Sequence, residues 1–117
     1  MPPADRDAAL LWDMLQACRE VRDFTRDVAW ETFIADRKLC LAVERCLEII
    51  GEAAGHVSEP FRTMHPEIPW RMITGMRNIL AHDYRQIEYE IIYSTVTKNV
   101  PPLLFTLGQL LPKPPDP

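Results

Sequence analysis

The segment GMRNILAHDY, residues 75–84, sets Arg77, Asn78, His82 and Tyr84 at fixed offsets. Arginine presents a planar, permanently charged fork that matches the oxygens of a phosphate. Histidine exchanges a proton near neutral pH, and tyrosine adds a hydroxyl that can donate or accept. With these parts a base can take the proton of a ribose 2′-hydroxyl, so that the oxygen attacks the neighbouring phosphorus. A cation then stabilises the extra charge on the phosphorane. The chemistry implied is metal-free cleavage of RNA.

Helical geometry tests whether the side chains can meet. At about 100° per residue, Arg77 and Tyr84 are seven apart and lie almost on one line. Asn78 and His82 are four apart and share the next face, so the amide could orient the imidazole. Arg77 and His82, five apart, diverge by about 140° on an unbroken helix. Either the helix ends near Ala81 and turns His82 back, or a second copy of the chain completes the site across a two-fold axis. Two histidines would then supply both a general base and a general acid.

The elements that must position this segment read as nearly all helix, punctuated by proline. Leu10, Met14, Ala17, Val21 and Phe24 make an apolar stripe on a first helix starting near Ala4. Trp30, Phe33 and Ile34 fit a short helical turn. A long helix over about 36–57 carries Leu39, Val43, Cys46, Ile50, Ala54 and Val57 on one face, the spacing of near-parallel bundle packing. Ser58 opens another short segment, and Pro69 begins a helix with Ile73, Met76 and Leu80 inward. The last helix, about 88–111, has Ile92, Val96, Val100, Leu103, Leu107 and Leu110 as its stripe. Pro101 and Pro102 should kink it without stopping it, because the stripe stays in phase across them. The expectation is an all-α, antiparallel up-and-down bundle of four main helices, one domain over 1–111, with a frayed proline-rich tail at 112–117.

Composition bounds the rest. The 117 residues are 47% hydrophobic and 26% charged, an ordinary balance for a single soluble domain. No apolar run approaches a membrane span, and the N-terminus lacks a signal-peptide core, so a cytoplasmic protein is expected. Cys18, Cys40 and Cys46 read as reduced thiols packed as small hydrophobes. His56 and His65 have no ligand-spaced partner, and neither a metal nor another cofactor is expected. The net charge is −4. Residues 62–85 hold Arg62, Arg71, Arg77 and Arg85 against Glu67 and Asp83, so this stretch is +2 and the remainder −6. That distribution disfavours sequence-blind duplex binding and permits a focused anionic site.

Other polar and aromatic residues have structural explanations. Gly51 and Gly55 suit close helix packing, Trp70 suits an anchor for its helix, and Tyr89 and Tyr93 suit a surface or interface. Glu52 stays open between a solvated or subunit-facing charge and a carboxylate that holds Arg77 or meets a protein partner.

Arg77, His82 and Tyr84 together form R-x4-H-x-Y, which resembles the R-x4-6-H signature of HEPN-domain ribonucleases. The blocks Glu48–Ala54, His65–Trp70 and Gly75–Asn78, in that order, resemble the HepT-like branch over nearly the whole chain. The resemblance implies a HEPN helical fold and a metal-independent endoribonuclease toxin of a type VII-like toxin–antitoxin pair. It implies catalysis by Arg77 and His82, with Asn78 and Tyr84 in support, at a site shared by a homodimer. It also implies a nucleotidyltransferase antitoxin that adenylylates Tyr84, placing a bulky anion where the RNA phosphate must sit. Two other readings remain. One is a non-catalytic helical subunit of a nucleotidyltransferase complex, binding nucleotide or accepting AMP. The other is a degenerate bundle that keeps the motif for dimer packing.

Overall fold

The computed structural model describes residues 4–80 and 85–111, with the backbone alone at 77, 79 and 85–87. Seven helices and no strand occur among them: α1 Asp5–Thr25, α2 Trp30–Ala35, α3 Arg37–His56, α4 Glu59–Met64, α5 Trp70–Leu80, α6 Arg85–Lys98 and α7 Val100–Leu110. The expected all-α bundle is present, its main members being α1, α3, α5 and the α6–α7 pair. No helix among the described residues is long and apolar enough to cross a membrane.

α1 and α3 run antiparallel. At one end Asp7 of α1 binds Ser58, just beyond α3. Further along, Cys46 lies near enough to Cys18 to raise its pKa. The seam is filled by Leu11, Met14, Leu15, Cys18 and Val21 from α1 and by Val43, Cys46, Leu47, Ile50 and Ala54 from α3. α5 covers another face of α3 through Ile73 and Met76. α7 packs on α1 with Val100, Leu103 and Leu107 buried, and α2 bridges α3 and α6.

Local signals set the helix boundaries. Asp36 caps α3 by accepting from Leu39 N at 3.0 Å, the side-chain oxygen relieving an orphan N–H. Ser58 caps α4 by accepting from Phe61 N at 3.4 Å. Pro69 precedes α5 and its carbonyl accepts from Ile73 N at 3.0 Å. At the proline pair the last helix divides at Asn99, whose backbone stays right-handed helical (φ −103°, ψ −30°). The two prolines thus fall in the first turn of a new helix, where their missing N–H groups cost little. The apolar stripe continues in phase. Asn99 N donates to the Thr95 carbonyl at 2.8 Å and Leu103 N to the Asn99 carbonyl at 3.3 Å, so the helical path crosses the proline pair in two segments without stopping.

Two sequence expectations need correction. Phe24 is 43% exposed, although Met14, Ala17 and Val21 of the same stripe are buried. Tyr89 and Tyr93, expected at a surface or interface, pack within the chain, Tyr93 half-buried. Tyr89 is buried, and Tyr93 donates to the Val28 carbonyl at 2.7 Å. Both rings pack on Phe33, and Tyr93 also meets Trp30 edge-on. The pair locks α6 onto α2. All three cysteines are buried free thiols.

Candidate active site

α5 presents the N-terminal half of the motif, and its first turn is held firmly. The Trp70 indole N–H donates to the His65 carbonyl at 2.9 Å, and its ring meets Phe61 edge-on. Trp70 is half-buried, so it anchors the helix as expected. The loop before it is fixed by the His65 ring, tilted against Phe61 with centroids 4.4 Å apart and with Nδ1 3.2 Å from Glu67. Ile73 and Met76 then bury one face of α5. Adding a Cβ at Gly55 would bring it 3.9 Å from Thr74 Cγ2, an ordinary contact, so that glycine is not required by a close approach of α3 and α5.

Arg77 and Asn78 lie in the helical stretch of α5, and the Asn78 side chain is exposed. The Arg77 side chain, and His82 and Tyr84 entirely, lie outside the described residues. The choice between a helix end near Ala81 and a composite two-chain site falls on the same segment. The proline-rich tail, 112–117, also lies outside.

Glu52 is exposed on α3, in a groove shared with Leu10 and Asp13 of α1 and His56. Among the described residues no group of three or more His, Cys, Asp or Glu side chains is placed to hold a metal ion. A second groove was not anticipated as a unit: Glu59, Arg62 and Thr63 of α4 face Trp70, Arg71 and Thr74 of α5. The basic bias of residues 62–85 was its one sequence signal.

Residues 14–109 match the family model described as Ribonuclease HepT-like. The chain belongs to the HepT-like family. Curated relatives agree. A Methanocaldococcus jannaschii protein named a "putative RNase" is 40% identical over 93 residues, covering 80% of this chain and 85% of its own. A "probable ribonuclease HepT" of Thermococcus cleftensis is also 40% identical, covering 80% and 84%. A "putative RNase" of Caldanaerobacter subterraneus is 37% identical over 100 residues, covering 86% and 89%. No solved structure matches. The HepT-like match spans α3, α5 and the whole R-x4-H-x-Y segment, so the helical frame and the motif belong to one homologous unit.

Proposed function

We propose that this HepT-like protein is a metal-independent endoribonuclease toxin that acts as a homodimer. The observation that carries the reading is the family match across 14–109, with Arg77, Asn78, His82 and Tyr84 inside it. His82 takes the proton of the 2′-hydroxyl, whose oxygen bonds to phosphorus as the bond to the 5′-oxygen breaks. The partner copy's imidazolium returns a proton to that leaving oxygen. Arg77 balances the phosphorane charge, Asn78 orients the imidazole, and Tyr84 supports the phosphate. The 140° between Arg77 and His82 on a straight helix favours a site completed by two chains.

In the same reading a nucleotidyltransferase antitoxin adenylylates Tyr84 and silences the site. Steric block and like charge exclude RNA once AMP is attached. The exposed Glu52, which shares a groove with Asp13, supports a role in meeting that protein partner. The test is cleavage of cellular RNA by purified protein and by His82→Ala, with chelator present. Cutting by the wild type that the variant loses supports the reading; equal cutting, or none, defeats it. The net charge of −4 also suits a non-catalytic subunit of a nucleotidyltransferase complex. That second reading predicts no His82-dependent growth arrest on expression.

A further inference from the structure

We propose that the groove between α4 and α5 is a phosphate subsite for single-stranded RNA flanking the bond that is cut; this rests on the ribonuclease reading above. Arg62 and Arg71 line it from opposite helices, with Thr63, Thr74 and the half-buried Trp70 between them, and Glu59 is its one carboxylate. Not every arginine is free to meet an anion. Arg22, Arg26 and Arg45 are matched to Asp23 or Glu48. Arg62 and Arg71 make no ion pair among the described residues, leaving two guanidinium forks facing one depression.

The base of the Arg62 fork is buried. Its Nε is sealed from solvent with no hydrogen-bond partner among the described residues. The N–H groups at the outer end of the fork are therefore the ones left for the groove. The planar fork matches two oxygens of a phosphate.

Position ties the groove to the motif. Arg71, Thr74 and Asn78 fall within about 60° of one line on α5. They form a polar stripe from the groove to the motif, and the rise from Arg71 to Asn78 is about 10 Å. A phosphate held by Arg62 and Arg71 is thus a near neighbour of the phosphate at the motif, not the same one. An acidic body with two free forks and a partly exposed indole suits an extended single strand. A duplex binder needs a broad basic face.

The test uses a short single-stranded oligonucleotide with 2′-O-methyl riboses, which lacks the attacking hydroxyl and cannot be cut. Binding is followed by fluorescence anisotropy across a salt series. The double variant Arg62→Gln/Arg71→Gln should bind about tenfold more weakly, with the slope of log K against log salt smaller by about 1.4, the loss of two phosphate contacts. Arg71→Gln alone, at an exposed position that folding does not need, should lose about half of that slope. Unchanged affinity and slope in both variants, or no binding by the wild type, would overturn the subsite. Arginine-dependent binding by a wild type that cuts no RNA would leave the subsite standing and defeat the ribonuclease reading instead.

Discussion

Asp7 and Ser58 join the first helix to the cap of α4 across a sequence separation of 51. Asp7 is buried, and its carboxylate accepts from the Ser58 backbone N–H at 2.9 Å and from the Ser58 hydroxyl at 2.6 Å. The same hydroxyl oxygen accepts from Phe61 N, so one serine links a tertiary bond to a helix cap. Removing the carboxylate leaves two donors in a partly buried site. Asp7→Ala should therefore cost about 1–3 kcal/mol. Ser58→Ala should cost about 1 kcal/mol through the cap. Because the two share one network, the double variant should fall short of the sum by at least about 0.5 kcal/mol in urea melts. Strict additivity would show that the two sites act separately.

Between helices, the turn from α1 to α2 carries a local conflict. Val28 N donates to the Thr25 carbonyl at 3.0 Å, closing a tight turn. Arg26 has φ −59° and ψ 124°, and Asp27 has φ 57°. These are the angles of a type II turn, whose third position favours glycine. A non-glycine residue there costs roughly 1–2 kcal/mol, partly offset by the lower chain entropy it confers on the unfolded state. Asp27→Gly should raise stability by about 0.5 kcal/mol, and Asp27→Val should lower it. A thermal melt of the two variants tests this; the reverse order would mean the aspartate side chain stabilises the turn. The division of the last helix at Asn99 has the opposite character. There the prolines occupy a first turn that tolerates them, and the element needs no correction.

For the whole molecule, four buried acids among the described residues, Cys18, Cys40, Cys46 and Tyr89, tie stability to alkaline pH. Cys40 is raised by burial and then by Glu44. Burial, then the neighbouring Cys46, pushes the Cys18 thiol up from 9.0 to about 12. Burial, then Glu20, pushes Cys46 up to about 11. Tyr89 is raised from 10.0 to about 12 by burial first and then by Glu44. Each group holds its proton more tightly folded than unfolded. Their contribution is therefore full below about pH 9 and is lost as pH climbs from there towards 12. The urea midpoint should fall between pH 8 and pH 10.5, and thiol alkylation should follow unfolding and not the fraction of thiolate. Rapid alkylation of the folded protein at pH 8 would contradict this burial.

Much of this architecture is legible in the chain because it rests on local rules. Stripes at spacings of 3 and 4 reveal α1, α3 and the α6–α7 pair, and Asp36, Ser58 and Pro69 mark three helix starts through their backbone chemistry. The R-x4-H-x-Y spacing and its surrounding blocks carry the HepT-like resemblance without any fold, and Arg77, His82 and Tyr84 as its site stand on that sequence alone. Tertiary structure decided what periodicity leaves open. Phe24 continues a stripe whose Met14, Ala17 and Val21 are buried, yet is itself 43% exposed. Tyr89 and Tyr93 look like surface residues until α2 is laid across them, where Phe33 and the Val28 carbonyl give their rings and hydroxyl a place. Arg62 and Arg71 are nine apart in sequence, on different helices, and only the packing of α4 against α5 makes them two sides of one groove.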